Sequence, residues 1–177
     1  MIIFLRPATS DDHAAIQELI AVSARGLSSH DYTVKQIEGA LRGTYGLDSQ
    51  LIRDGSYFVV ESDQKIVGCG GWSRRRTICG GDHFGERDDA LLDPQIDAAK
   101  IRAFFVHPDY ARQGIAKLIL QHCEQQASAN GFTQFELVAT MPGRRFYATQ
   151  GYTAGMPIQH LLDDGLPINF VPMRKSV

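Results

Sequence analysis

A short segment between a predicted strand and a predicted helix carries the clearest chemical signal in the sequence. Residues 106–117 read VHPDYARQGIAK, so a strand runs into a tight loop and the loop opens into a helix close to Gly114. The first N–H groups of a helix lack intrahelical acceptors, and the helix dipole makes that end positive. Arg112 and Lys117 add charge beside it. The segment indicates a cradle for phosphate or pyrophosphate; a tight turn that binds nothing is the alternative.

A second segment downstream completes a resemblance to a known family. Residues 146–152 read FYATQGY. Upstream, Gly114-Ile115-Ala116 matches a Gly-x-Gly/Ala signature that follows a strand. With both segments, the sequence resembles the GNAT superfamily of N-acyltransferases, whose second motif is Phe/Leu-Tyr-x-x-x-Gly-Phe. Two departures are visible. Ala111 stands where the family pattern has Arg or Gln, and residues 139–143 lack the asparagine that many relatives carry.

The resemblance implies acetyl-CoA as co-substrate. No metal is expected, because Cys79 and His83 have no second pair of ligands beside them. The resemblance also implies that the strand ending at Val106 separates from the strand at residues 135–139, so that the pantetheine arm lies in the gap. The pantetheine would pair with the backbone of three residues, Phe104, Phe105 and Val106. The pyrophosphate would meet the cradle residues, which are Arg112, Gln113, Gly114, Ile115, Ala116 and Lys117.

The resemblance also implies a mechanism. Tyr147 lies near the cofactor sulfur in relatives, and a phenol can protonate a departing thiolate at neutral pH. The expected reaction is direct attack by the amine of a small molecule in a ternary complex, with backbone donors near Val106 polarising the thioester carbonyl. A non-catalytic acyl-CoA-binding or sensing domain is the alternative, and a flavodoxin-like or dinucleotide-binding module ranks last.

The general base and the acceptor are left open by the sequence. The polar residues considered as bases are Glu61, Asp82, His83, His107 and Glu136. The run Arg74–Arg76 favours an acceptor that carries a carboxylate or phosphate, while the acidic segment at residues 77–97 favours a cationic amine. Because the arginines are predicted to stand on a strand beside the cleft, we expect the anionic acceptor.

Composition and charge exclude several classes of protein. The chain has 177 residues, 44% hydrophobic and 21% charged, and a net charge of −2, which excludes disorder and argues against nucleic-acid binding. No apolar stretch approaches the roughly 18–20 residues that cross a membrane, and no signal peptide is recognised. Cys69, Cys79 and Cys123 follow no metal or disulfide spacing, so free thiols in a cytoplasmic protein are expected. A homodimer is left open.

The hydrophobic pattern predicts one α/β domain over residues 1–177. We expect a mixed, mostly antiparallel sheet with helices on both faces, because hairpins give antiparallel pairs and strand–helix–strand units give parallel ones. The predicted elements are a strand at residues 2–6, helices starting near Thr9 and at Thr33, a hairpin of residues 56–61 and 65–72, a strand at 101–106, a helix at 115–130, a strand at 135–139, a helix at 144–150 and a last hairpin that turns at 163–165.

Overall fold

A mixed sheet of eight strands with helices on both faces forms the protein. The computed structural model describes residues 3–82 and 87–177. The strands are β1 (Ile3–Pro7), β2 (Tyr57–Ser62), β3 (Lys65–Ser73), β4 (Ala99–Val106), β5 (Gln134–Thr140), β6 (Thr153–Ala154), β7 (Ile158–Leu161) and β8 (Pro167–Ser176). The α-helices are α1 (His13–Leu27), α2 (Val34–Arg42), α3 (Ser49–Arg53), α4 (Ile115–Ala129) and α5 (Met141–Thr149).

The strand order confirms the predicted fold class. The sheet runs β1-β2-β3-β4-β5-β8-β6, and β7 also pairs with β8. Among the strand pairs described, only β4 and β5 are parallel, as the helix α4 between them requires. The two predicted hairpins are present as β2–β3 and β7–β8.

Local capping explains where the helices begin. At α2, the Thr33 hydroxyl accepts from Gln36 N–H and the Gln36 side chain accepts from Thr33 N–H, which is the predicted capping box. The helix predicted at residues 144–150 begins earlier, at Met141, because the Thr140 hydroxyl caps it and Pro142 occupies its first turn. The short helix α3 was missed, although Asp48 caps it.

Two hydrophobic cores lie on opposite faces of the sheet. The face that we call the α4 face packs against α4 and α5 through residues such as Ile119 and Tyr147. The other face, the α1 face, packs against α1, α2 and α3 through residues such as Ile16, Ile37 and Leu51. The predicted placement of helices on both faces is confirmed. None of the helices in the described part of the chain is long and apolar enough to cross a membrane.

Candidate active site

A gap opens between β4 and β5. The parallel pairing of these strands consists of Ala99 with Phe135 and Lys100 with Glu136, yet β4 continues to Val106 and β5 continues to Thr140. Exposure follows the same boundary, because the first four residues of β4 are buried and the last four are half-buried. The separation of the two strands that the resemblance implies is therefore confirmed.

A bulge in β4 marks the point where the strands part. Ala103 has a φ of 55°, in the left-handed region that residues other than glycine rarely adopt. The register of β3 against β4 shifts at the same level, between Cys69 and Gly71. The Tyr57 hydroxyl donates to the Ala103 carbonyl at 2.9 Å and holds this conformation. A bulge bends its strand, which explains why β4 leaves β5 here.

The edge of the gap presents backbone groups from alternate residues. His107 N–H donates to Val67 O at 2.9 Å and Phe105 pairs with Cys69, so the backbone groups of Phe105 point towards β3. The predicted backbone role therefore fits Phe104 and Val106 and is wrong for Phe105, because neighbouring residues of a strand bond in opposite directions. Val106 N–H donates to the Ser23 hydroxyl on α1 at 3.2 Å.

The loop before α4 has the geometry of an anion cradle. Gly114 is the N-cap residue of α4, with a φ of 86° and no side chain to bind the first N–H groups. A Cβ atom built on Gly114 would meet no other atom within 4 Å. Leu118 N–H donates to Gly114 O at 2.9 Å, so the N–H groups of Ile115, Ala116 and Lys117 have no intrahelical acceptor.

The side chains of the loop differ in whether they are available to this open space. Arg112 and Lys117 are exposed, and Arg112 has a φ of 65°. The Gln113 amide donates instead to Asp109 O at 3.0 Å, which turns its side chain back onto the loop. The backbone N–H groups and the two exposed cations fit a phosphate or pyrophosphate.

Tyr147 lies at the gap on the α4 face. Its ring packs against Phe104 of β4 with centroids 6.2 Å apart, and the residue is 8% exposed. Its hydroxyl makes no hydrogen bond to any residue that the structure describes. Burial raises the pKa of this phenol well above its ordinary value, so the hydroxyl keeps its proton at neutral pH.

Comparison with known proteins identifies the family. The family model of the acetyltransferase (GNAT) domain matches residues 53–154, which include the gap, the cradle and Tyr147. The chain belongs to the GNAT acetyltransferases. It is accordingly an acyltransferase, and the predicted family and enzyme class are confirmed.

Solved structures support the fold of this GNAT domain along its whole length. A GCN5-related N-acetyltransferase from Rhodopseudomonas palustris has a TM-score of 0.73 at 21% identity, over 100% of this chain and 99% of that one. The PaiA N-acetyltransferase from Thermoplasma acidophilum, solved with coenzyme A, has a TM-score of 0.67 at 15% identity over 100% of both chains. The ribosomal-protein-S18-alanine N-acetyltransferase from Escherichia coli has a TM-score of 0.61 at 12% identity, over 99% and 94%. No curated protein sequence matches the chain.

The residues considered as general bases are scattered in the GNAT fold. Glu61 pairs with Arg6 at the first strand, and Asp82 accepts from Ser49 N–H at 2.9 Å. Nδ1 of His107 accepts from Asp109 N–H at 3.2 Å, which places the ring proton on Nε2.

Glu136 lies at the closed end of the gap and is paired with Lys100 and Arg174. His83 lies outside the described residues. In the described part of the chain, no group of three His, Cys, Asp or Glu side chains is placed to hold a metal ion.

The arginine run does not lie at the gap, so the predicted position of these arginines beside the cleft was wrong. Arg74–Arg76 follow the end of β3 where Ser73 pairs with Lys100, and β4 and β5 are still joined at that level. Arg75 forms a two-pronged pair with Asp54 at 2.7 and 2.8 Å and donates to Asp89 O. Through these contacts Arg75 holds the following segment against the end of α3.

The acidic segment is tied to the α1 face. Its two arms pair through Thr77 with Asp88, and Asp82 N–H donates to Leu47 O at 2.9 Å. The buried Arg102 donates to Gly80 O and pairs with Asp48 at 2.6 Å.

An aromatic cluster on the α1 face was missed by the sequence reasoning. Tyr45 packs against Phe105 and Phe170, at centroid distances of 6.0 and 6.4 Å. Tyr32 packs edge-on against Phe170, and its hydroxyl donates to Asn169 O at 2.6 Å. No local spacing could have indicated this cluster, because its members come from distant parts of the chain.

Proposed function

We propose that this GNAT domain transfers acetyl from acetyl-CoA to the amine of a small molecule by direct attack in a ternary complex. The observation that carries the proposal is the gap between β4 and β5. One side of the gap has the helix-start cradle and a buried phenol, and the gap is lined by strand residues that are half-buried rather than covered. This arrangement supports the proposal that an extended acyl carrier and a second substrate meet at one place.

The residues present fit the co-substrate. The pyrophosphate would be held by the N–H groups of Ile115, Ala116 and Lys117 with the charge of Arg112, because the space above Gly114 is open and electropositive. The pantetheine would pair with the backbone of Phe104 and Val106 at the edge of the gap. Acetyl-CoA, when bound, supplies an acetyl group activated as a thioester.

Tyr147 and Val106 would perform the chemistry of transfer. Tyr147 would donate its hydroxyl proton to the departing sulfur, and its raised pKa keeps the phenol protonated before the step. The attacking nitrogen would lose one proton to solvent, and Tyr147 would regain one from solvent. Val106 N–H would polarise the thioester carbonyl by donating a hydrogen bond to its oxygen. Val106 N–H now donates to the Ser23 hydroxyl, so the thioester oxygen must share this donor with Ser23 or displace Ser23 from it.

The state of the cysteines favours direct attack over a thiol intermediate. Burial raises the pKa of Cys69 to about 12 and raises the pKa values of Cys79 and Cys123. A protonated thiol is a poor nucleophile. None of the three therefore has the character of an acetyl-accepting thiolate.

The cradle is tested by Gly114→Glu. We expect this variant to lose acetyl-CoA binding in calorimetry, because the carboxylate would occupy the phosphate space with the wrong charge. Gly55→Glu is the matched control: Gly55 has a φ of 69° and open space around it, so it takes the same backbone strain, but it lies between α3 and β2. If both variants bind acetyl-CoA as wild type does, the cradle assignment is wrong.

Transfer itself is tested by release of coenzyme A with a panel of amines. We expect amine-dependent release from the wild-type protein. A protein that binds acetyl-CoA yet releases none with any amine would instead be the non-catalytic acyl-CoA-binding domain.

A further inference from the structure

The proposed function divides the gap into two sides, and the following inference rests on it. The cradle precedes α4, and Tyr147 and Phe104 belong to the core beneath α4 and α5. An acyl carrier bound at the cradle therefore reaches the gap from the α4 face. The acceptor must then approach from the α1 face, because direct attack needs a path that the carrier does not fill.

The α1 face of the gap is lined by aromatic rings. The ring of Tyr45 lies between Phe105, at the separated end of β4, and Phe170, which pairs with Thr140 at the end of β5. Tyr45 therefore contacts β4 on one side of the gap and β8, the neighbour of β5, on the other. Val138 and Met141 are half-buried and pack against the same cluster.

The Tyr45 hydroxyl is buried without a hydrogen-bond partner among the described residues. Tyr45 is 9% exposed, and its hydroxyl has no hydrogen bond within residues 3–82 and 87–177. The neighbouring tyrosines differ, since Tyr32 donates to Asn169 O and Tyr57 donates to Ala103 O. A buried polar group that lacks a partner destabilises a fold, so the hydroxyl needs an explanation other than stability.

The ionised side chains on this side of the central strands are already paired. Lys100 and Arg174 both pair with Glu136, and Arg102 pairs with the buried Asp48. These groups leave no unpaired charge on β4, β5 or β8 to select a carboxylate or phosphate.

We propose that the aromatic cluster on the α1 face is the acceptor subsite and that it takes a primary amine on an apolar body without a carboxylate or phosphate. The apolar body packs on Phe105, Phe170 and the ring of Tyr45. The Tyr45 hydroxyl accepts a hydrogen bond from the amine and orients its lone pair towards the thioester. Desolvation raises the pKa of Tyr45, which therefore stays a neutral phenol.

The test compares acceptors and the variant Tyr45→Phe. Release of coenzyme A is measured with 2-phenylethylamine, glutamate and spermidine. We expect kcat/KM of the wild type to be at least tenfold higher with 2-phenylethylamine. Tyr45→Phe should raise the KM for that amine about tenfold, the usual value of one hydrogen bond, and leave acetyl-CoA affinity unchanged.

Thermal unfolding separates this role from a structural one. Tyr45→Phe removes a hydroxyl that no described residue binds, so its Tm should equal or exceed that of the wild type. Tyr152→Phe calibrates the measurement, because the Tyr152 hydroxyl donates to Glu124 at 2.9 Å and its loss should lower Tm.

The inference is overturned if glutamate or spermidine is the better acceptor, if Tyr45→Phe changes KM by less than twofold, or if its Tm falls as far as that of Tyr152→Phe. Absence of release with all amines from a protein that binds acetyl-CoA has a different meaning. It overturns the proposed transfer, and the subsite falls with it.

Discussion

Tyr147 is buried at the gap, and no residue in the described part of the chain binds its hydroxyl. Tyr147→Phe removes the hydroxyl and keeps the ring that packs on Phe104. A positioned general acid contributes on the order of 100-fold or more in rate, so we expect kcat to fall by about that factor. Affinity for acetyl-CoA, measured by calorimetry, should stay within about twofold, because the cradle is untouched. A kcat close to the wild-type value would show that water protonates the sulfur.

At the residue scale, local motifs were predictable and long-range pairs were not. Gly114 could be recognised because a strand, a tight turn and a helix start leave their marks within a few neighbouring residues. Tyr45 could not, because its burial depends on Phe105 and Phe170, which only the fold brings to it. The same holds for Ser23, whose hydroxyl meets Val106 across the α1 face.

At the scale of elements, the course of β4 determines whether a carrier can bind. Tyr57 is fully buried, and its hydroxyl holds Ala103 in the left-handed conformation where β4 turns from β5. A left-handed residue other than glycine costs about 1–3 kcal/mol and persists only where its surroundings hold it. We expect Tyr57→Phe to weaken acetyl-CoA binding about tenfold in calorimetry, because Ala103 relaxes and the gap narrows.

A second substitution separates this positioning role from packing. Ala103→Gly adopts a positive φ without steric cost, so the double variant Tyr57→Phe/Ala103→Gly should recover most of the lost affinity. If the double variant binds as poorly as Tyr57→Phe, the tyrosine acts through packing and not through the bulge.

The same scale shows what a hydrophobic pattern can and cannot indicate. The first five strands and α4 were predicted close to their observed ends, because each has a continuous apolar face. The short strand β6 was missed, and α1 begins at His13 and not near Thr9. The placement of Arg74–Arg76 was wrong because a pattern does not tell which end of a strand faces the gap. The pairing of Ser73 with Lys100 places the end of β3 at the level where β4 and β5 are still joined, away from the gap.

At the scale of the molecule, the two sides of the gap come from different parts of the chain. The family match covers residues 53–154, which hold Phe104, Gly114 and Tyr147 on the side of the cradle. Tyr32, Tyr45 and Phe170, on the α1 face, lie outside it. The cradle side was therefore predictable by resemblance, whereas Tyr32, Tyr45 and Phe170 on the α1 face come from parts of the chain that the resemblance does not describe.

An ion pair between β1 and the turn before α1 makes global stability depend on pH. Arg6 donates to both carboxylate oxygens of Asp12 at 2.7 and 2.8 Å and also pairs with Glu61 on β2. Its guanidinium lowers the pKa of Asp12 from 3.8 to about 2. The Asp12 carboxylate thus stabilises the fold by about 2 kcal/mol above pH 5, and this contribution disappears as the pH falls towards 2.

Asp12→Asn tests this dependence through urea unfolding between pH 7 and pH 3. The variant should be less stable than the wild type by about 2 kcal/mol at pH 7, and the difference should shrink to about half at pH 3, where the unfolded state already binds the proton. Glu38→Gln is the control, because Glu38 pairs with Arg25 at an exposed site and such pairs contribute about 0–1 kcal/mol. A difference for Asp12→Asn that stays constant with pH would assign its effect to the hydrogen bond from Thr9 N–H and not to the charge.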